Sequence, residues 1–228
     1  MTGNAGAGAP GHPARVLLVD DHPIVRQGLE QLIDAEQDLT VCAQASDAPT
    51  ALAAVEQERP DLAVVDISLA GSDGLELVKQ IRERWPAVKV MVLSMHSESV
   101  YAERTLSAGA QGYIMKQEPP DRILHAMREV LQGNVFLSDA LRAKLLQRLV
   151  GVTAGRERTP IERLTDRELT VLRLIGAGRG TRKIAQELGL SVKTIETYRE
   201  NLKRKLHLDS AAELVQYAVR WLQQESGG

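Results

Sequence analysis

Only one of the 228 residues is a cysteine. No intrachain disulfide can form, which fits a reducing cytoplasm. The thiol, Cys42, stands among apolar residues and is expected to be free and buried. No apolar run approaches the roughly 18 residues that a membrane helix needs, so no membrane partner is expected. The first residues, MTGNAGAGAPGHPA, have neither a basic stretch nor an apolar one. They do not read as a secretory signal, and their Gly, Ala and Pro content reads as a floppy tail. The five histidines, His12, His22, His96, His125 and His207, show no metal-ligand spacing. Two glycine-rich stretches are decoys. GAGAPG precedes the first strand and opens no helix, while GAGRGTRK lacks P-loop spacing and ends a helix.

What is present is ordinary in bulk: 43% hydrophobic and 25% charged residues, which suits a soluble globular chain of one or two domains. The net charge of -2 conceals an asymmetry. Residues 1–162 hold 16 Lys/Arg against 22 Asp/Glu, a net of -6, whereas residues 163–228 hold 12 against 8, a net of +4. An acidic front and a basic tail point to two domains with different partners, the second able to meet a polyanion such as DNA.

Residues 15–132 alternate between two periods. RVLLV, LTVCAQA, LAVVDI, VKVMVLS and GYIM have strand length and β-branched content; between them lie segments of helical spacing. Five strands alternating with five helices argue for parallel βαβ units in one doubly wound domain. Continuous apolar runs such as AVV and VMVL suit strands buried on both faces. The pattern weakens from about 138 to 162, where SDALRAKLLQRLV reads as a helix capped by Ser138 or Asp139 and GVTAGRERTP as a linker. From Leu164 onward everything reads helical. A Thr165–Glu168 capping box opens the first helix, Ser191 caps the third and Ser210 the fourth. The second and third are joined by a tight turn containing Gly189, the arrangement of a helix-turn-helix.

In a parallel sheet, functional groups gather beyond the carboxyl ends of the strands, where strand order reverses. Here those ends carry Asp20 and Asp21, then Asp66, then Ser94, and Lys116 follows the fifth strand. An adjacent Asp pair alone is ordinarily a surface turn or a helix cap. Three carboxylates with a hydroxyl and an ammonium at matching strand ends are different. They call for a hard divalent counter-ion such as Mg²⁺. One carboxylate oxygen could then attack a phosphoryl group, with Lys116 and a hydroxyl holding its oxygens.

LLVDDHPIVRQGL, LAVVDISLAGSDGLELV, VLSMHSES and GAQGYIMKQ fall in the order of the motifs of two-component receiver domains. The first 132 residues resemble that family. The resemblance implies a (βα)5 flavodoxin-like fold with Asp66 as phosphoacceptor. It implies that Asp21 and Asp20 hold Mg²⁺ with Asp66 and the carbonyl of Ser68, that Ser94 is the switch hydroxyl, Lys116 the phosphate-binding cation and Tyr113 the rotating aromatic. Ala70 stands where the family often has proline.

The helix after Ser191 carries Val192, Ile195, Leu202 and Leu206 toward a small core, with Tyr198 between them. The rest is polar and rich in cations: Lys193, Arg199, Lys203, Arg204 and Lys205. A basic stripe beside helix-turn-helix spacing is the footprint of a DNA binder. LTDRELTVLRLIGAGRGTRKIAQELGLSVKTIETYRENLKRKLHL resembles the LuxR-type four-helix DNA-binding domain, and the whole architecture, over nearly all of residues 14–224, is similar to the NarL/FixJ response regulators. The architecture expected is therefore α/β plus all-α: a tail at 1–13, a receiver at 14–133, a partly helical linker at 134–162 and a helix-turn-helix domain at 163–224. By position in that family, Glu196, Thr197 and Glu200 look at base edges in the major groove. Lys193, Thr194, Arg199 and Lys203 hold phosphates, and Tyr198 is a further contact. Some relatives have lysines at 196 and 200; carboxylates there can accept from cytosine N4 and predict a different operator.

On the last helix, Leu214, Val215, Ala218, Val219 and Leu222 share one side. A domain this small cannot bury all of them, and a second copy is expected to cover the remainder. The resemblance implies a cytoplasmic bacterial switch rather than an enzyme. A sensor histidine kinase phosphorylates Asp66, the chain dimerises on double-stranded DNA, and RNA polymerase is a further partner. One rival is a phosphohydrolase with an aspartyl-phosphate intermediate, but those place the nucleophile in a D-x-D on the first strand. Another is a DNA-binding protein whose receiver only dimerises.

Overall fold

The computed structural model describes residues 12–69, 73–95, 98–149 and 159–226. Most of the expected tail, Ala70, His96 and residues 150–158 of the expected linker lie outside them. The chain divides into two compact units, Met1–Asp139 and Ala140–Gly228.

In the first unit five strands, β1 (Ala14–Val19), β2 (Leu39–Ala45), β3 (Leu62–Val65), β4 (Lys89–Ser94) and β5 (Gly112–Met115), form one sheet. Its order is β2-β1-β3-β4-β5, and every pairing is parallel. Helices α1 (Pro23–Asp34), α2 (Ala48–Glu58), α3 (Gly74–Arg84), α4 (Glu98–Ser107) and α5 (Pro120–Leu131) alternate with the strands. All four residues of β3 are buried, as a strand covered on both faces requires. Local chemistry sets the helix starts. Pro23 and Pro120 stand in the first turns of α1 and α5, where no N–H partner is needed. Asp47 accepts from the Thr50 N–H at 2.9 Å to cap α2, and Asp73 accepts from the Leu75 and Glu76 N–H groups to cap α3.

β2 lies at the sheet edge, and its register against β1 slips after Val16. Cys42 falls at that slip, between the partners Val41 and Ala43. The thiol is half-buried rather than buried, on a strand that has a neighbouring strand along one edge only; it points to the Val16 carbonyl at 3.4 Å. Burial pushes its pKa up, the direction of an inert thiol. Beyond α5 the chain returns to the sheet. Phe136 donates to the Gln111 carbonyl at 2.9 Å and accepts from the Tyr113 N–H at 3.0 Å, so it extends the sheet past β5 for one residue. α6 (Asp139–Leu149) follows.

The second unit contains a 3₁₀ turn (Ile161–Arg163), α7 (Asp166–Gly176), α8 (Thr181–Glu187), α9 (Val192–Leu206) and α10 (Ala211–Ser226). Leu169, Leu172, Ile184, Ile195, Leu202, Leu214 and Ala218 are fully buried and make its core. The expected capping box is present at Thr165 and Glu168, and Ser191 and Ser210 cap α9 and α10 by accepting from the Thr194 and Glu213 N–H groups. α7 and α10 pack closely: a Cβ on Gly176 would lie 2.5 Å from the Ala218 carbonyl oxygen.

Candidate functional site

β1 and β3 are neighbours at the point where the strand order reverses. The backbone ladder runs one residue beyond each strand and fixes what stands there. Asp20 donates its N–H to Ala45, Asp66 to Val19 and Lys116 to Ser94, at 3.1, 2.8 and 2.8 Å. Asp20, Asp66 and Lys116 thus reach one rim from three separate segments. The Lys116 ammonium donates to Asp66 Oδ2 at 2.8 Å and also to Asp20 Oδ2. These three side chains are nearly inaccessible, at 8% exposure or less. The Ser68 N–H donates to Asp66 Oδ1 at 2.9 Å, turning the chain after β3 back over the carboxylate. Ser94 and Tyr113 are both buried, on β4 and β5.

Asp21 is the more open member of the pair, with a side-chain exposure of 20%. Two neighbours complete the rim: Arg26, which sequence reasoning passed over, and His22, which showed no metal-ligand spacing yet stands within the acidic cluster. His22 donates its N–H to Asp20 Oδ1 at 2.8 Å, and its Nδ1 lies 2.7 Å from Asp21 Oδ1. Arg26, one helical turn later, donates to the Asp20 carbonyl. Their signal was adjacency: His22 stands just before α1 and Arg26 in its first turn, both within reach of the acidic pair. Gly74 was also missed. A Cβ there would lie 2.4 Å from Ile67 Cα and 2.5 Å from the Asp66 carbonyl oxygen, so the first turn of α3 rests directly on the backbone of Asp66 and Ile67.

Electrostatics set the chemistry. Burial pushes the Asp66 carboxyl up, partly offset by Lys116 and the Ser68 N–H. Burial pulls Lys116 down, but Asp66 and Asp20 outweigh it and hold the ammonium charged. Lys116 and Arg26 do not fully offset the three carboxylates, so the rim keeps a net negative charge that favours a bound cation. Ligand atoms of Asp20, Asp21, His22 and Asp66 lie within 4.8 Å of one another. Oxygen donors and this charge fit a hard ion such as Mg²⁺.

In the second unit, α8 and α9 are joined through Gly189, which adopts a positive φ of 63°. Leu190 N–H to the Ala185 carbonyl and Gly189 N–H to that of Gln186 close the end of α8. α9 presents Lys193, Glu196, Thr197, Glu200 and Arg204 to solvent. Thr194, Tyr198, Arg199 and Lys203 flank this face half-buried, and Lys203 pairs with Glu200 at 2.9 Å. Two expectations need correcting. Lys205 is not part of the free basic stripe: it donates to the buried Glu168 carboxylate at 2.7 Å. Val192 does not join the core and is 40% exposed. A helical side chain covers the turn preceding its own Cα, and at the first position there is no such turn.

Residues 16–128 match the response regulator receiver domain, and residues 162–218 match the bacterial regulatory proteins of the luxR family. The chain is 34% identical over 211 residues to the oxygen regulatory protein NreC of Staphylococcus epidermidis, spanning 90% of this chain and 97% of that protein. It is 33% identical over 196 residues to a nitrate/nitrite response regulator protein homolog of Haemophilus influenzae, spanning 86% and 91%. A LuxR-family two-component response regulator from Aurantimonas sp. SI85-9A1 has a similar structure, with a TM-score of 0.56 at 34% identity over 60% of this chain and 99% of that one. RcsB of Salmonella enterica serovar Typhimurium, bound to the promoter rprA with the phosphomimetic BeF3⁻, shares the fold with a TM-score of 0.66 at 24% identity, over 91% of this chain and 98% of that one.

Proposed function

This chain belongs to the two-component response regulators that join a receiver domain to a luxR-family DNA-binding domain and act on DNA to regulate transcription, and from that premise we propose that phosphorylation of Asp66 controls its DNA binding. The observation that carries the reading is the Lys116 ammonium shared by the buried carboxylates of Asp66 and Asp20 at the sheet's switch point. The donor is a phosphohistidine of a sensor histidine kinase. An Asp66 carboxylate oxygen attacks the phosphorus, the P–N bond breaks, and the imidazole nitrogen keeps the electron pair and takes up a proton. Asp20, Asp21, Asp66 and the Ser68 carbonyl would hold Mg²⁺, which supplies positive charge against the phosphoryl oxygens. Lys116 stays charged beside the new phosphoryl group, and the Ser94 hydroxyl donates to it.

The change passes from Ser94 to Tyr113 on the neighbouring strand and alters the face around α4 and α5. In this reading residues 14–133 are the receiver, 134–162 the linker and 163–224 the DNA-binding domain. α9 lies in the major groove, with Glu196, Thr197 and Glu200 at base edges and Lys193, Thr194, Tyr198, Arg199 and Lys203 around them. α10 pairs with a second copy. Leu214 and Ala218 are spent on the core, but Val215 remains 40% exposed and Val219 and Leu222 are only half-buried. RNA polymerase meets the bound dimer. Among the described residues no helix is long and apolar enough to cross a membrane.

Incubation with acetyl phosphate and Mg²⁺ tests the phosphoacceptor. Wild type is expected to gain one phosphoryl group and Asp66→Asn none, read by intact mass. An unlabelled wild type refutes the reading.

A further inference from the structure

The exposed face of α9 has an order of charges that a general DNA binder would not need. Lys193 stands near its start and Arg204 near its end, with Glu196 and Glu200 between them. Lys193 and Arg204 are eleven residues apart, about 16 Å along a helix axis, against a major groove about 12 Å wide. With α9 in the groove, this spacing would set the two cations toward the flanking phosphates and the two carboxylates over the groove floor.

Two glutamates one turn apart repel each other and weaken a helix slightly. They also oppose the phosphate field that supplies non-specific affinity. Glu200 is partly compensated by Lys203 at 2.9 Å. Within the helix the cations at 193, 199, 203 and 204 offset this repulsion, so the cost that remains is against DNA, and it marks a functional demand. Here the demand must be an amino donor at the base edge. Guanine offers only acceptors in the major groove, and thymine an acceptor and a methyl group. Adenine has an amino group but sets the N7 acceptor beside it, facing the second carboxylate oxygen. Cytosine presents its N4 amino group with no neighbouring acceptor on its own ring.

We propose that Glu196 and Glu200 each accept from the N4 amino group of a cytosine, so that every operator half-site carries two cytosines one or two base pairs apart. Four residues advance about 6 Å along the helix, against about 3.4 Å per base-pair step. The inference rests on α9 being the groove-reading helix.

The experiment is selection of bound duplexes from a random-sequence pool by the full chain treated with acetyl phosphate and Mg²⁺, in parallel with Glu196→Gln and Glu200→Gln. Both positions are exposed, so the variants keep the fold. The wild type is expected to select half-sites with two cytosines at that spacing. Glutamine pairs best with adenine. Each variant should therefore exchange cytosine for adenine at one position, a different one for each, with a preference changed about tenfold or more. A selected motif that is identical in all three proteins overturns the cytosine contacts and leaves α9 as the reader. Loss of any selected motif in the wild type overturns α9 as the reader and the cytosine contacts with it.

Discussion

Tyr113 donates its backbone N–H to the carbonyl of Phe136 at 3.0 Å. A residue on the edge strand of the first unit, named above as part of the switch, is thereby tied to the segment that leads out of that unit. Phe136 is 8% exposed and belongs to the same core cluster as Ile123, Met127 and Val130. The Ser138 N–H, two residues later, donates to the Glu98 carboxylate at the start of α4 at 2.8 Å.

Phe136 therefore belongs energetically to the first unit. Phe136→Ala is expected to destabilise that unit by about 3–5 kcal/mol, the usual cost of emptying a buried aromatic site. Urea unfolding followed by Trp85, with Trp221 replaced by Phe, measures it. A loss under about 1 kcal/mol would mean that the contact is peripheral.

Gly74 has no room for a methyl group, since its neighbours at 2.4 and 2.5 Å are backbone atoms of Ile67 and Asp66 and cannot rotate away. Gly74→Ala is expected to push the start of α3 from the Asp66 backbone. Phosphorylation from acetyl phosphate should slow by about tenfold or more, since an ångström of misplacement at a reacting group costs that or more. Gly28, which has nothing within 4 Å, is the control: Gly28→Ala should leave the rate unchanged.

Lys116→Met removes the cation from two buried carboxylates. Breaking a buried pair on one side is expected to cost about 3–5 kcal/mol of stability. The double variant Lys116→Met, Asp20→Asn should recover much of it. A double variant no more stable than the single one would show that the pair's charge is balanced elsewhere.

Glu168 provides a pH signature. Its burial raises the carboxyl pKa, but hydrogen bonds from Lys205 and from Thr165 outweigh burial and hold it below the ordinary value. A depressed carboxylate contributes stability that is fully present above its unfolded pKa and is lost as pH falls through the folded one. The second unit should therefore weaken on acidification from the ordinary glutamate range downward. Glu168→Gln should flatten that slope. Unfolding midpoints across pH, read from Trp221 with Trp85 replaced by Phe, test the sign; equal slopes in both proteins would exclude Glu168 as the source.

Much of the molecule was legible in one dimension. Alternating strand and helix periods, continuous apolar runs and carboxylates at strand ends specify a parallel sheet with an acidic rim, because side-chain periodicity and backbone capping act over a few residues. The Thr165–Glu168 box and the caps at Ser191 and Ser210 are of this kind. What the tertiary structure decided lies between distant segments. Lys116 meets Asp66 and Asp20 across 50 and 96 residues only because the strands order as β2-β1-β3-β4-β5. Lys205 read as a DNA-facing cation until helix packing set Glu168 beside it, and nothing in the sequence marked Gly74 until α3 came to rest on Asp66. Sequence spacing cannot encode such pairings, since which faces meet depends on how all the elements pack at once.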